Sequence, residues 1–431
     1  MGAAATEEQA LRRRSLTLAL LTLTYFFSYM DRQILAILLE PIRADLDLSD
    51  TQLGLLTGLA FAVFYATLGI PVARLADRGN RRNIVAISLA VWSFFTALCG
   101  LAQNFVQLLL ARIGVGIGEA GSSPPSHSMI ADLYPADRRA GAMASYTSGV
   151  VLGGGFGTMI GGYLAGEYGW RVAIVAVGVP GLILALIVRL FVVEPPRGMS
   201  DPGVSRTSVQ PPISEGFTTL WAEPAARHLV TAVTLTSLIG YALAAFGPAF
   251  YMRSFGLDVT TVGLILGPLV AIIGTFSGVV GGYLADRWAR TRGLHVQSWL
   301  VAILKMIALP FLIAMYLSPS VWIAVPLYAV AVLFQSSYLG PTFALLQGLA
   351  PLKLRAMWAA ITLLVINLIG LGLGPTAIGA LSDAYRPFLG EESLRYAALT
   401  TASLTPWAIW HYWRAGVLLK RRAVASLTKD R

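Results

Sequence analysis

The sequence predicts an all-α membrane protein whose twelve transmembrane helices form two six-helix, pseudo-symmetric bundles. Three observations lead there. First, 56% of the 431 residues are hydrophobic and 13% are charged, against about 25% charged in a soluble chain, and mean hydropathy is +0.68. Second, apolar segments long enough to cross a bilayer, at least about 18 residues, recur twelve times. Third, the second half repeats the first at a fixed spacing.

In order, the apolar segments cover 15–39, 54–76, 83–102, 105–132, 140–168 and 171–193. The stretch 194–226 then turns polar and rich in Pro, Gly and Ser, as a linker does. Six more segments follow near 227–252, 260–285, 296–317, 321–349, 356–381 and 394–418. ARLADRGNRR at 73–82 matches GYLADRWARTR at 282–292, placing Asp77 over Asp286 and Arg78 over Arg287. The same shift of 209 lays LSDTQLGLLTG at 48–58 over LDVTTVGLILG at 257–267. Further on, PADRRA at 135–140 pairs with PLKLRA at 351–356 at a shift of 216. A duplicated six-span unit is expected: an N-terminal bundle at 1–193, a linker at 194–226 and a C-terminal bundle at 227–431.

The net charge of +10 does not point to nucleic acid, because the basic residues lie between apolar runs rather than on one face. Arginines crowd the N-terminus, the loops after even-numbered segments and the C-terminal tail, while loops after odd segments hold few. By the positive-inside rule both termini and the linker are cytoplasmic. The single cysteine, Cys99, excludes an internal disulfide. Arg12, Arg13 and Arg14 lead into an apolar run longer than the core of a cleavable signal.

The fourth segment, FVQLLLARIGVGIGEAGSSPPSHSMIAD, carries Arg112 and Glu119 where hydrocarbon is expected. Seven residues apart, they project from one helix face about 10 Å apart along the axis. Gly114, Gly116 and Gly118 between them let other backbone approach closely. Ionisable groups inside a span are costly and face a bundle interior or a water-filled pathway; the plain alternative is an ion pair that only fixes packing. Pro124 and Pro125 interrupt this helix after Ser122 and Ser123. Span five carries glycines at 153, 157, 161 and 162, and Gly370, Gly372, Gly374 and Pro375 mark span eleven; such small-residue patches serve tight packing more often than mechanism. His127 reads as a satisfied polar group, and Lys305 as a structural lysine that snorkels to the interface.

Six-plus-six spans with DRGNRR and DRWARTR after spans two and eight resemble the major facilitator superfamily, with Ala73 where the first signature loop usually has glycine and Gly282 keeping it in the second. SYMDRQILAILLEPIRADLDLSDTQLGLLTGLAFAVFYA and ARIGVGIGEAGSSPPSHSMIADLYPADRRAGAMASY resemble the Spinster lipid-transporter family. The resemblance implies a major facilitator fold with a cavity lined by spans 1, 4, 7 and 10. It also implies an alternating-access carrier of an amphipathic lipid such as a lysophospholipid or a sphingosine-1-phosphate-like molecule. Spans one and four are neighbours in that fold. Asp31 and Arg112 then lie at similar depth, roughly 10–12 Å below the outer surface at 1.5 Å per residue, with Glu119 two turns deeper.

Asp31, Arg112 and Glu119 are therefore the expected proton-coupling site. Arg32 and Arg112 are expected to bind an anionic or zwitterionic head, with Tyr29, Phe61, Tyr65, Phe334 and Tyr338 offering apolar contact. Asp77, Arg78, Arg82, Asp132, Arg139, Asp286 and Arg287 are expected to latch a cytoplasmic gate, since the aspartates are what positive-inside leaves unexplained. No Walker loop follows a strand and the histidines have no metal-ligand spacing, so neither catalysis, cofactor nor metal is expected. The expected partners are a small amphipathic substrate, protons and the bilayer, for a monomer lying in the cytoplasmic membrane if the source is bacterial. The alternatives are a proton-driven multidrug or sugar/organic-anion carrier of the same fold, and a lipid conduit without proton coupling.

Overall fold

The computed structural model describes residues 2–200 and 212–429; of the segment 194–226, residues 201–211 lie outside them. The chain begins with α1 (Gly2–Arg12), α2 (Arg14–Leu46), α3 (Asp50–Thr57), α4 (Leu59–Arg78), α5 (Arg81–Cys99), α6 (Phe105–Glu119), α7 (Ser123–Leu133), α8 (Ala136–Tyr168) and α9 (Trp170–Phe191). After α10 (Ile213–Ala222) come α11 (Pro224–Phe255), α12 (Val259–Arg292), α13 (His295–Tyr316), α14 (Val321–Gln335) and α15 (Leu339–Leu349). The last spans are α16 (Arg355–Val365) and α17 (Gly374–Leu389), then α18 (Ser393–Ala402) and α19 (Thr405–Lys429).

Local chemistry sets the boundaries. The α2 helix runs past its expected end at 39, through Pro41, and stops where Asp47 turns left-handed at φ 50° and its N–H reaches Arg43 O. A capping box follows, in which the Ser49 side chain accepts from Gln52 N and the Gln52 side chain accepts from the Ser49 N–H. Span two therefore starts at Asp50, earlier than its apolar run. Gly169, at φ 83°, ends α8 in a conformation open to glycine at little cost. Between α16 and α17 the helix widens into a π-helical stretch over Ile366–Leu373, where Gly370 and Gly372 lie.

Two spans are interrupted in register. The α6 and α14 helices each have 15 residues, α7 and α15 each have 11, and both pairs are displaced by 216, the shift relating PADRRA to PLKLRA. The proline pair at 124–125 signals the first break; at the second, 336–338, Gly340 and Pro341 stand 216 residues on from that pair. The C-terminal ends of α2 and α11, Leu46 and Phe255, keep the displacement of 209.

Among the described residues, nine helical stretches are long and apolar enough to cross a membrane on length and composition, the last being the continuous run Leu352–Val424. Spans one and four are not among them: the first carries Asp31 and Arg32, and the second is cut at Glu119.

Chain contacts divide the molecule into two compact units. One comprises Met1–Ser208 with Gly256–Ala271, the other Val209–Phe255 with Ile272–Arg431. In the first, α2 lies along α8 and α5 along α9. The α2–α8 seam is built on the span-five glycines, because a Cβ at Gly153 would sit 2.2 Å from Phe26 O and one at Gly157 would sit 2.7 Å from Met30 O. Phe26 and Met30 are themselves four apart, so one turn of small residues meets one turn of backbone. In lipid, where helices gain little from burying apolar surface against one another, such close contact supplies the attraction. In the second unit α11 packs on α19, and α13 on α14 and α19. Its core includes Leu220, Leu229, Trp358 and Tyr412. The Trp358 indole donates to Thr219 Oγ1 at 3.2 Å, fixing α10 to α16.

Candidate functional site

Four ionisable side chains cluster in the first unit, three of them buried and Arg32 half-buried. The α2 helix contributes Asp31 and Arg32 and α6 contributes Arg112 and Glu119; Asp31, Arg112 and Glu119 are 1–3% exposed. Glu119 Oε2 accepts from Ser28 Oγ at 2.7 Å and from Arg32 Nε and Nη2 at 2.9 and 2.6 Å. Asp31 Oδ2 accepts from Thr96 Oγ1 of α5 at 2.6 Å. Arg112 Nη1 lies 3.7 Å from Asp31 Oδ1, within ion-pair range and beyond an ordinary hydrogen bond.

Two carboxylates and two guanidiniums balance, which is the condition for keeping charge inside hydrocarbon. Satisfaction is uneven, though. Glu119 Oε1 and Arg112 Nε are buried without a hydrogen-bond partner. One oxygen of Glu119 is thus saturated by three donors and the other is vacant.

Aromatic rings enclose Arg32. Its guanidinium carbon lies 4.9 Å from the centre of the Tyr29 ring and 4.7 Å from those of Phe61 and Tyr65, within cation–π range. Phe61 and Tyr65, one turn apart on α4, stack at 5.3 Å, and Phe61 also faces Arg112 at 5.6 Å. Three of the five expected apolar contacts thus surround the cation expected to bind the headgroup. That cation is itself held by Glu119, a pairing across 87 residues that sequence reasoning did not find. Ser28 and Thr96, ordinary polar residues by their sequence context, were missed as well.

In the second unit Phe334 is half-buried near the end of α14 and Tyr338 lies in the break after it. Lys305 does not snorkel: it is 3% exposed, and its ammonium lies 4.7 Å from the centre of the Tyr338 ring. Its place midway along α13, ten residues from one end and eleven from the other, is too deep for a lysine stem to reach an interface. His127 is exposed, with its ring 5.2 Å from that of Tyr146.

Among the residues expected to form a cytoplasmic gate, Asp132 is buried and paired with Arg81 rather than with Arg78 or Arg82. Arg81 is fully buried; it also bonds Glu194 Oε1 at 2.7 Å, Pro195 O at 2.6 Å and Ser128 Oγ at 2.9 Å. Glu194 Oε2 accepts the Arg82 backbone N–H at 2.8 Å, while the Arg82 side chain reaches Asn83. Asp132 Oδ1 accepts from Gly198 N at 3.0 Å, and Arg197 donates to Ala76 O and Gly79 O at 2.7 Å each. The chain leaving α9 is thereby tied across the ends of α4, α5 and α7. Arg139 donates to Tyr134 O at 3.2 Å. Asp77, Arg78 and Arg287 are exposed, as is Asp286, which accepts from Gln297 Nε2 at 3.4 Å. Glu194 was not singled out from sequence, because it looks like one more charge at a helix end.

Residues 21–409 match the model of the Major Facilitator Superfamily. The chain belongs to the major facilitator superfamily. It is 34% identical over 411 residues to an "MFS-type efflux pump" of Mycolicibacterium smegmatis, covering 95% of this chain and 94% of that one. It is 26% identical to "Protein spinster homolog 1" of Xenopus laevis, covering 87% and 75%. Among solved structures it is similar to a bacterial homolog of the human lysosomal transporter Spinster in an inward-facing, occupied conformation, with 33% identity and a TM-score of 0.84 over 93% of this chain and 96% of that one. As a major facilitator superfamily protein, the chain is a multi-pass membrane transporter of small molecules. The superfamily's fold implies twelve spans, so the buried charges of α2 and α6 lie inside the first and fourth.

Proposed function

We propose that this transporter is proton-coupled and carries an anionic or zwitterionic amphiphile by alternating access, with Asp31, Arg112 and Glu119 as coupling groups and Arg32 as the cation they control. The observation that carries this reading is the lopsided coordination of Glu119. Its Oε2 holds Arg32 and Ser28, while Oε1 is buried with no partner and is the position open to a proton. Protonation there removes the carboxylate's charge, so that two bonds between opposite charges become weaker bonds from a cation to a neutral acid. Arg32 is then less tightly held and available to an anionic head, with Tyr29, Phe61 and Tyr65 against the adjoining apolar part. The loose Arg112–Asp31 pair, at 3.7 Å, adds a second cation whose partner is exchangeable. A proton or a substrate shifts the access equilibrium by as much as it binds one state better than the other.

The lipid class draws support from the aromatic cage and from the likeness to Spinster proteins. The efflux-pump relative favours a second reading, a broader drug or organic-anion carrier using the same coupling groups. The arginine distribution supports cytoplasmic termini and an inner-membrane location in a bacterium, and we take the monomer as the working unit. The gate reading extends from Asp77, Arg78, Arg82, Arg139, Asp286 and Arg287 to the Arg81–Asp132–Glu194 cluster, whose opening would release the start of the linker.

The test is uptake into proteoliposomes under an imposed pH gradient, with a lysophospholipid set against sugars, hexuronates and cationic drugs. Saturable, gradient-driven lysolipid uptake is expected. Preference for the polar set or the drugs would replace the substrate class, and equilibration indifferent to the gradient would make the protein a conduit.

A further inference from the structure

In the second unit, Trp407, Trp410, His411 and Arg414 occupy positions i, i+3, i+4 and i+7 of α19, which is one face of a helix. Trp407 and Trp410 are 53% and 54% exposed; Arg414 is exposed and His411 half-buried. From α11, which packs along α19, come the half-buried His228 and the exposed Arg227. The two imidazoles meet Nδ1 to Nδ1 at 2.8 Å. The Trp410 ring stands across both, its centre 5.4 Å from that of His228 and 4.7 Å from that of His411.

The cluster is basic and lacks a counter-charge. Arg227 and Arg414 both act on His228, and no carboxylate acts on either histidine. Among the described residues neither arginine has an ion-pair partner, whereas Arg422, two turns further along α19, bonds Glu223 at 3.2 Å. In the histidine pair one ring donates through Nδ1 and the other accepts, so the accepting ring carries its hydrogen on Nε2, and no described residue takes that hydrogen up. Two guanidiniums beside a spare N–H form a donor set that fits a phosphate. The exposed tryptophans set the level, because a ring with an apolar body and a polar N–H settles at the headgroup region of a bilayer.

We propose that this α11–α19 face binds an anionic phospholipid, with its phosphate among Arg227, Arg414 and the histidine pair and its upper acyl region against Trp407 and Trp410. A lipid fits better than a free phosphate ester because Trp407 lies one turn deeper in the span than His411, where acyl chains reach and soluble anions do not. Basic pockets between helices at a cytoplasmic membrane face hold such headgroups. The site needs none of the coupling groups. It takes from the function proposed above only that this end of the bundle meets the cytoplasmic leaflet.

The probes are dihexanoyl phosphatidylglycerol, dihexanoyl phosphatidylcholine and glycerol phosphate, measured by calorimetry on the purified full chain in maltoside detergent. The wild type is expected to bind phosphatidylglycerol about tenfold or more tighter than phosphatidylcholine, at roughly fivefold for each arginine, and glycerol phosphate more weakly than either lipid. Arg227→Gln with Arg414→Gln should remove the preference. Arg290→Gln with Arg292→Gln, which takes the same charge from the end of α12, should keep it. Glu119→Leu with Arg32→Met should keep it too, which separates this site from the charged cluster of the first unit. If the Arg227, Arg414 variant does not fold, Arg414→Glu, which gives Arg227 a carboxylate, should remove the preference instead. A preference that survives neutralisation of Arg227 and Arg414, or that falls equally in the Arg290, Arg292 variant, overturns the proposal. So does its loss with Glu119 and Arg32, and so does glycerol phosphate binding as tightly as the lipid, which would make the occupant a soluble ester. Absence of gradient-driven transport, or the opposite topology, would remove the function proposed above and leave these outcomes unchanged.

Discussion

Replacing Glu119 by glutamine separates the coupling role from a merely structural one. The variant keeps an oxygen able to accept from Ser28 and Arg32, but the three bonds at 2.6–2.9 Å lose the carboxylate's negative charge, which leaves the Arg32 cation uncompensated. At about 1 kcal/mol per arginine bond, with the Ser28 bond weakened too, folding stability should fall by about 2–3 kcal/mol. Glu119→Ala also strands the Arg32 charge and should lose about 3–5 kcal/mol. The double change Glu119→Leu with Arg32→Met removes both charges and should recover most of that loss, since a buried pair exchanged for apolar residues is often neutral. In proteoliposomes, Glu119→Gln should still exchange substrate at equilibrium but no longer respond to an imposed pH gradient. A well-folded Glu119→Gln protein with wild-type gradient dependence would remove Glu119 from coupling. A double variant no more stable than Glu119→Ala would refute the pairing energetics.

Gly153→Ala should destabilise by about 1–3 kcal/mol, because its methyl would lie 2.2 Å from Phe26 O; Gly141→Ala, with nothing within 4 Å, should be neutral or slightly stabilising, and melting in detergent compares them. Arg81→Ala strands the buried Asp132 and frees Glu194, so stability should drop by about 3–5 kcal/mol and trypsin should cut after Arg197 faster than in the wild type. In the loop before α12, Asp258 accepts from the Thr261 hydroxyl at 2.6 Å and the Thr261 N–H at 2.9 Å, bonds that hold its carboxyl below the ordinary range. A depressed carboxylate stabilises above its unfolded pKa, about 3.9, and that contribution disappears as pH falls through the folded value. Asp258→Asn should keep the cap and lose that pH dependence, whereas Asp258→Ala should lose about 0.5 kcal/mol at neutral pH; melting curves between pH 3 and 7 distinguish them.

Hydropathy and the internal repeat determined, from the sequence alone, the span count, the fold class and the positions of Asp31, Arg112 and Glu119 inside the first and fourth spans. They could do so because a bilayer imposes length and apolarity on every span, so each departure stands out as a residue that must face protein or water. Periodicity also placed Arg112 and Glu119 on one face, and the Pro124–Pro125 pair marked the break in span four. Tertiary structure alone decided which charge meets which. Arg32 rather than Arg112 is bonded to Glu119, Arg81 rather than Arg78 is paired with Asp132, and Ser28 and Thr96 complete the two carboxylates. An arginine side chain reaches across several neighbouring positions, and the axial rotation of one helix against another is set by contacts such as Gly153 on Phe26, which no single helix encodes. The burial of Lys305 was hidden for the same reason. The Tyr338 ring that faces its ammonium lies 33 residues further along the chain and does not adjoin it in sequence.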